Sequence, residues 1–424
     1  MAAMTAILTI GSTSASALTL NGTYGGESFG TFANVAAGQL SSQLGRSAYL
    51  PCPCIGTNNQ VRTLIAEDVE AGDSGNVFRA NVIKNTIQAG KAANGLSANL
   101  QHTSRVAGVN ALNGLITADA IKAVANTHAT SSVITSNSAG SYFSNLVIAG
   151  TPIAGNISPN TPAITLAGYG YVKLREVRQI PNGVFSGGIS VNMIHIFITM
   201  TNPLDIPVGA EIIVAHARTK FTRVTPAVAV GGSAWAADAK STLPLIVNQV
   251  GRIAPIYVPC QGTDGNILSN NVNITNVPGV ITAGTAVTKA FGSVSATQAL
   301  AWTSAKIENL NLLTGLVTAD LIKAKSQSTF NTNTGGATVG SVSYVNLRIA
   351  GILQPVTVSP NTVVLVPLVG RVVLNEQERT VDSSQAKLKV VAVHLYITDP
   401  LNPFGLSVGT EIQISVARSL ALEL

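Results

Sequence analysis

The sequence has few charged and few aromatic residues. Asp, Glu, Lys and Arg make up 10% of its 424 residues, against about 25% in ordinary soluble proteins. Aromatic residues are 5% while the hydrophobic fraction is 46%, so Ala, Val, Ile and Leu supply most of the apolar content. Intrinsic disorder requires low hydrophobicity and high charge, and we therefore expect a folded chain. Small and β-branched residues in this proportion are typical of many short β-strands.

Long basic runs and long apolar runs are also missing. The net charge of +6 is spread thinly along the chain, with no basic stripe interleaved with aromatic residues, so we expect no nucleic-acid partner. No apolar stretch reaches the ~18–20 residues that a membrane helix needs, so no transmembrane span is predicted. The apolar residues are assigned instead to buried strands or to contacts between subunits.

The chain has only three cysteines, Cys52, Cys54 and Cys260. Cys52 and Cys54 are too close in sequence for a relaxed mutual disulfide. A zinc site would need about four ligands, and no second Cys or His pair lies nearby. An odd number of cysteines in a secreted protein leaves one thiol unpaired or pairs it between molecules.

Cys54 and Cys260 occupy matching positions, each after a Pro and two residues before a Gly-Thr pair. A disulfide needs Cα atoms within about 7 Å of each other, and we expect equivalent loops of successive domains to lie farther apart. Two interpretations stay open. Either the three thiols have no partner, or Cys52 or Cys54 of one molecule bonds Cys260 of the next and locks a head-to-tail surface array.

The first 17 residues have features of a signal peptide. Residues 2–10 form a short apolar run, and Ala15-Ser16-Ala17 matches the pattern of small residues before a cleavage site. The usual positive segment at the start is missing, so we interpret residues 1–17 as a truncated signal, with a plain first strand as the alternative. The mature chain then begins near Leu18.

Six motifs recur in the same order, each about 200 residues after its first occurrence. The matching ranges are 53–57 with 259–263, 112–123 with 313–324, 145–150 with 346–351, 158–161 with 359–362, 194–199 with 393–398, and 208–212 with 408–412. Such self-similarity indicates a tandem duplication. We place unit one at residues 18–220, a linker at 221–230 and unit two at 231–424.

Within each unit the pattern favours strands. In residues 389–397 the sequence KVVAVHLYI puts Val391, Val393, Leu395 and Ile397 on one face of a strand, by its alternation of two. Residues 115–123 could be written as a helix, but the surroundings favour a strand. We predict an all-β protein with two tandem β-sandwich-like or jelly-roll-like domains.

The ordered motifs LxGLxTADxIKA, NLxIAG, SPNT, Leu374-Asn375-Glu376-Gln377, VxxHxxIT and VGxEIxxxxAR resemble those of the bacterial choice-of-anchor P family. The resemblance covers most of both units. Unit one departs from it at Leu174-Arg175-Glu176-Val177. The resemblance implies a secreted protein at the cell surface with no known catalytic residues.

Polar residues present in both units are the natural site candidates. They are Asp119/Asp320, Lys122/Lys323, Glu176/Glu376, His195/His394, Glu211/Glu411 and Arg218/Arg418. An enzyme could use a His with two carboxylates for acid–base chemistry. We interpret them as supports of the fold, because no nucleophile–base arrangement or metal-ligand cluster is readable. His195 shares a strand face with Phe197, and His394 with Tyr396, so we expect each imidazole to be a packed ring. Neither a catalytic site nor a cofactor is expected.

The sequence therefore predicts a secreted, non-enzymatic surface or structural protein, placed outside the cell or on its surface. Its expected partners are further copies of itself, in a coat or filament, and cell-wall components. An adhesin or glycan-binding module is the alternative. Trp235 and Trp302, which could line a glycan site, have no match in unit one.

Overall fold

A computed structural model describes residues 20–34, 46–71, 75–181, 183, 185–223, 227–240, 252–277 and 279–424. All regular elements in these ranges are β-strands, which confirms the all-β prediction. Residues 116–123 of the expected strand at 115–123 belong to the long strand Ile116–Thr130, and Leu115 lies in the preceding turn. The predicted signal segment, residues 1–17, lies outside the described ranges. None of the described residues forms a helix long and apolar enough to cross a membrane.

The first half of the chain contributes fourteen strands. They are β1 Gly22–Asn34, β2 Leu50–Pro51, β3 Arg62–Ala71, β4 Phe78–Lys91, β5 Ser97–Ala111, β6 Ile116–Thr130, β7 Ile134–Asn137, β8 Tyr142–Ser144, β9 Val147–Ile148, β10 Thr151–Pro152, β11 Ile164–Leu166, β12 Gly170–Ile180, β13 Ser186–Ile198 and β14 Glu211–Arg223.

The second half contributes thirteen strands. They are β15 Val228–Lys240, β16 Ile256–Val258, β17 Leu268–Val277, β18 Ile281–Val294, β19 Gln298–Leu312, β20 Val317–Asn331, β21 Gly335–Val345, β22 Arg348–Ile349, β23 Ile352–Leu353, β24 Thr362–Val366, β25 Gly370–Val381, β26 Gln385–Ile397 and β27 Glu411–Glu423.

These strands form four antiparallel sheets, and each sheet uses strands from one half only. In the first half, sheet A has the order β11-β12-β13-β14-β1-β2 and sheet B the order β10-β9-β6-β5-β4-β3. In the second half, sheet C has the order β24-β25-β26-β27-β15-β16 and sheet D the order β23-β22-β20-β19-β18-β17. The strand order of the first half is thus repeated in the second, as an internal duplication would produce.

Each half buries an apolar core between its two sheets. Phe78, Ile83 and Ile121 of sheet B and Val191 and Ile212 of sheet A belong to one cluster in the first half. An equivalent cluster fills the space between sheets C and D. Burying such side chains is the main favourable term in folding, so each half has the core of a β-sandwich.

The joint between the halves is shorter than the predicted linker at residues 221–230. Phe221 and its neighbours up to Arg223 still belong to β14, and β15 already begins at Val228. Phe221 and Val228 are both buried. Because these ends carry ladder hydrogen bonds and core side chains, they are parts of the two sandwiches rather than of a connector.

The alternation predicted for residues 389–397 breaks at Ala392. Tyr344 of sheet D inserts its hydroxyl here, where it accepts from the Asn375 backbone N–H at 3.2 Å and donates to the Ala392 carbonyl at 2.6 Å. Val391 consequently packs with Trp235 on the outer face of sheet C, whereas Val393 belongs to the core beneath the sheet. The prediction that Val391 and Val393 share a face is therefore wrong.

Candidate functional site

A disulfide joins the two halves within one chain. Cys54 and Cys260 are bonded, with their Cα atoms 5.6 Å apart and 206 residues between them in sequence. This corrects two expectations, that the equivalent loops lie too far apart and that Cys54 or Cys260 pairs with another molecule. The two sulfurs are already used within the chain.

Reciprocal contacts around the disulfide explain why equivalent loops meet. The backbone N–H of Tyr24 in β1 donates to the Cys54 carbonyl, and that of Val230 in β15 donates to the Cys260 carbonyl. Across the junction, Cys54 Sγ lies 3.2 Å from Val230 O and Cys260 Sγ lies 3.5 Å from Tyr24 O. Each half therefore presents the same segment to the other, as in an interface with twofold symmetry.

Cys52 is the free cysteine of the described residues and is half-buried. Its Sγ lies 3.4 Å from the Pro53 carbonyl. Burial raises the pKa of the Cys52 thiol, which disfavours the thiolate that nucleophilic attack and metal binding require. In this environment Cys52 acts as a packed side chain and not as a reactive thiol.

Beside the disulfide, the Arg46 guanidinium lies close to aromatic rings of both halves. The rings of Tyr49 and Tyr257 are stacked with centroids 4.5 Å apart. The Arg46 guanidinium lies 5.3 Å from the Tyr49 ring centre, 5.6 Å from that of Tyr257 and 5.3 Å from that of Phe29. Guanidinium groups at such distances from ring faces are attracted electrostatically, so Arg46 ties the first half to the second.

The second half repeats this arrangement around Trp235, which is fully buried. Arg252 and Arg418 lie 4.0 Å and 4.7 Å from the Trp235 ring. The indole N–H donates to Asp238 Oδ1 at 2.8 Å. Burial, together with Arg252, lowers the pKa of Arg418 to about 10. Arg252 also lies 5.8 Å from the Tyr49 ring centre, which links this cluster to the first half. The buried Trp235 presents no exposed face to a glycan.

Sequence reasoning missed Arg46, Tyr49, Arg252 and Tyr257. A signal for the two arginines exists, since Arg46 and Arg252 each stand eight residues before the paired cysteines Cys54 and Cys260. The tyrosines carry no such signal, because Tyr49 and Tyr257 are not at matching positions. Only the three-dimensional packing brings them together.

The disulfide and the stacked rings lie along a cleft of about 860 Å³ between the halves. Its lining includes six cationic side chains against the two carboxylates of Glu27 and Glu378. The cationic residues are Arg46, Arg218 and Lys220 from the first half and Lys387, Lys389 and Arg418 from the second. Since the whole chain has a net charge of only +6, much of its excess positive charge is collected here.

The His and Glu candidates that occur in both halves do come together, in the first half on the outer face of sheet A. His195 Nδ1 donates to Glu176 Oε2 at 2.8 Å, and its Nε2 lies 3.3 Å from Glu211 Oε2. Asn192 donates to the same Glu176 oxygen at 2.9 Å and accepts from His216 Nδ1 at 2.6 Å. The imidazole is held between two carboxylates within a continuous polar chain.

Sheet C carries a shorter version of this cluster. His394 Nδ1 donates to Glu376 Oε2 at 2.5 Å, and its Nε2 lies 3.4 Å from Glu411 Oε2. The Tyr396 hydroxyl donates to the other Glu376 oxygen at 2.8 Å. Both histidines also pack on the next aromatic ring of their strand, with ring centres 4.0 Å apart, which confirms the prediction of packed rings.

The electrostatics of these clusters favour ionised glutamates. Hydrogen bonds from His195 and Asn192 lower the pKa of Glu176 to about 2, although partial burial opposes the shift. Burial also opposes ionisation of Glu376, but hydrogen bonds from His394 and Tyr396 outweigh it and lower its pKa.

His216, in contrast, is uncharged at neutral pH. Burial, reinforced by Arg46 and Arg218, lowers the pKa of His216, so its 3.9 Å approach to Glu27 is not an ion pair at neutral pH.

The remaining candidates lie apart from these clusters. Asp119 accepts from Asn145 Nδ2 at 2.6 Å, and Asp320 accepts from Asn346 Nδ2 at 2.5 Å. Both asparagines have positive φ angles, so the aspartates brace equivalent tight turns. Lys122 and Lys323 belong to β6 and β20 of sheets B and D. In the described part of the chain, no group of three or more His, Cys, Asp or Glu side chains is arranged to hold a metal ion.

Comparison with known families gives one match. A family model described as a domain of unknown function (DUF8256) matches residues 259–389. The match begins one residue before Cys260, includes all of sheet D and ends in β26. The comparison with curated proteins found no match. The resemblance to the choice-of-anchor P family therefore stays a prediction.

Proposed function

We propose that this protein is a secreted, non-enzymatic surface or structural protein. The observation that carries the proposal is the Cys54–Cys260 disulfide, which links the two halves and is packed against Ala229 and Leu422. Disulfides persist in oxidising compartments and are rare in the reducing cytosol. A chain cross-linked by this disulfide is suited to the outside of the cell, as its predicted signal segment and its family resemblance also imply.

The contacts of the two His–Glu clusters support a structural role over a catalytic one. Both ring nitrogens of His195 already face carboxylates, and those of His394 do the same. A general base needs a nitrogen within reach of a substrate proton or a nucleophile, and these rings are mostly buried. Their occurrence in both halves also fits a demand of the fold, which each half must meet.

Assembly into a coat or filament, with further copies of the chain or with cell-wall components, is the finer part of this proposal. It is supported by the low charge of the chain and by exposed apolar residues on edge strands, such as Val363 and Leu365 of β24, which are 54% and 78% exposed. Unpaired apolar edges are where other chains add.

The alternative, an adhesin or glycan-binding module, is favoured by one specific feature, the basic cleft between the halves. This alternative keeps the secreted placement, but it assigns the protein a ligand-binding role instead of a role in assembly.

Fractionation of the native cells tests the placement. The protein should be found in the medium or on the cell surface, and a non-reducing peptide map should contain the Cys54–Cys260 cross-link. Size-exclusion chromatography with electron microscopy of the same material tests assembly, for which we expect particles larger than one chain. A cytosolic protein with three free thiols would contradict the proposal.

A further inference from the structure

The cations of the cleft outnumber the carboxylates that could neutralise them. Arg218 pairs with Glu27 at 3.6 Å, and Lys389 pairs with Glu378 at 2.6 Å. No carboxylate of the described residues forms an ion pair with Arg46, Lys220, Lys387 or Arg418. Unpaired cations on both walls of a confined space create a positive potential that attracts anions.

Two arginines and two tyrosines of the lining also have hydrogen-bonding atoms without partners. Within the described residues, Arg46 Nε, Arg418 Nε, Tyr24 Oη and Tyr257 Oη are buried and have no hydrogen-bond partner, and all four residues line the cleft. Buried polar atoms in folded proteins are normally paired. Their common location points to an oxygen-rich guest that would pair with them.

The size and the distribution of charge favour an oligomeric anion over a single ion. A volume of about 860 Å³ is in the range of pockets for ligands much larger than phosphate. Three cations come from each half. The half-buried Lys220 lies on the wall formed by the first half, and the exposed Lys387 lies on the wall formed by the second. A ligand that contacts both walls must carry several anionic groups along its length.

The rings of the cleft argue against a nucleic acid. Single-stranded nucleic acids bind by stacking their bases on free aromatic faces. Tyr49 is buried and is stacked on Tyr257, and Arg46 lies close to both rings. Tyr49 therefore offers no free face, and one face of Tyr257 is already covered. What the cleft offers instead is charge and hydrogen bonds, which suit carboxylate and hydroxyl groups.

We infer that the cleft between the two sandwiches binds an acidic oligosaccharide, whose carboxylates pair with Lys220 and Lys387 on opposite walls and with the arginines between them. The inference rests on the proposed function in one respect: the secreted placement is what would bring the protein into contact with this ligand.

Calorimetric titration of the purified, oxidised protein tests the inference at an ionic strength of about 0.15 M. The probes are an oligogalacturonate, maltohexaose as its neutral counterpart, inorganic phosphate and an oligothymidylate of matched charge. Lys220→Gln and Lys387→Gln each remove one cation from one wall. Lys84→Gln with Arg105→Gln is the control, because these residues are exposed neighbours on sheet B.

We expect the oligogalacturonate to bind more tightly than the other three probes. Each cleft variant should weaken its binding by roughly tenfold, since a charge-assisted hydrogen bond is lost, with an unchanged melting temperature. The control should bind like the parent protein. The inference is overturned if the oligogalacturonate does not bind, if the control loses as much affinity, if phosphate alone binds as tightly, or if the oligothymidylate binds more tightly. Because the assay uses purified protein, a failure here is separate from a failure of the proposed placement.

Discussion

Cys54 and Cys260 stand at equivalent places in the two halves and are bonded to each other, with their Cα atoms 5.6 Å apart. Equivalent residues of two repeated units can meet only where the units face each other about an approximate twofold axis. The reciprocal approaches of Cys54 to Val230 and of Cys260 to Tyr24 have this symmetry. The junction is therefore built from one surface used twice.

The same junction departs from symmetry in its polar residues. On sheet A the outer face carries His216 and Asn192 within a polar chain, whereas Val416 and Val391 pack with Trp235 on sheet C. One half thus brings a hydrogen-bonded network to its outer face and the other brings an apolar cluster. The cleft between them is correspondingly asymmetric.

Removing the disulfide should destabilise the protein. Cys54→Ala with Cys260→Ala opens a loop closed over 206 residues, and removing a native disulfide typically costs about 2–5 kcal/mol of unfolding free energy. Denaturant unfolding of the oxidised parent and the variant measures the difference. Cys52→Ala is the matched control, which should keep the cross-link in a non-reducing peptide map. Intermolecular ladders on a non-reducing gel of the parent would contradict the pairing.

Arg46 should contribute to the contact between the halves through its ring contacts. We expect Arg46→Met to lower the unfolding free energy by about 1–2 kcal/mol, because cation–π attraction is lost while the side-chain volume is kept. A double-mutant cycle with Tyr257→Leu should give a coupling energy well above the error of the measurement. Arg105→Met, on an exposed part of sheet B, should change stability little. Strictly additive effects of Arg46 and Tyr257 would refute the contact.

Glu176 should make the protein sensitive to acid. Its folded pKa is lowered to about 2, below the value of about 4.3 in an unfolded chain. Its stabilising effect is therefore present above about pH 4.3 and is lost as the pH falls toward 2. Glu176→Gln should be less stable than the parent at pH 7, and the difference should shrink as the pH falls. Glu70→Gln, which breaks the exposed pair with Arg79, is the control variant.

The fold class and several local elements could be predicted because they depend on residues that are close together in the sequence. The β-rich surroundings of residues 115–123 predicted a strand, and β6 contains all of this range except Leu115. The packed rings of His195 and His394 followed from their position two residues before an aromatic on the same strand. Short-range periodicity is sufficient for such features.

The junction could not be predicted because it depends on contacts distant in sequence. Whether matching cysteines lie apart or together is decided by the orientation of whole sandwiches, and no local pattern specifies it. The change of face at Val393 similarly depends on the hydroxyl of Tyr344, which reaches Ala392 from another sheet at 2.6 Å. The glutamate partners of the histidines were identified as candidates, but their mutual contacts required the register of β12, β13 and β14.

Replacing the clustered histidines should affect stability. His195→Gln and His394→Gln remove the imidazole from between two carboxylates and from its aromatic neighbour, and we expect each to cost about 1–3 kcal/mol. Thermal unfolding measures the loss, and the buried His394 should be the more sensitive position. His128→Gln, on the exposed face of β6, is the control. Loss of a hydrolytic activity with an unchanged melting temperature would reverse the structural interpretation.

The second half should fold without the first. All pairing partners of β15–β27 lie within residues 227–424 in the described ranges, and this half has its own core between sheets C and D. We therefore expect a fragment of residues 227–424, with Cys260→Ser to avoid a free thiol, to give a β-rich circular dichroism spectrum and a cooperative melt. Its melting temperature should lie below that of the whole chain, because the disulfide and the contacts of Tyr257 with the first half are lost.

A shorter fragment starting at residue 231 is the comparison. It lacks Val228 and Val230, which are fully or nearly fully buried and lie opposite the end of β27, so it should melt lower still. A soluble 227–424 fragment with a random-coil spectrum would mean that the second sandwich needs the first in order to fold.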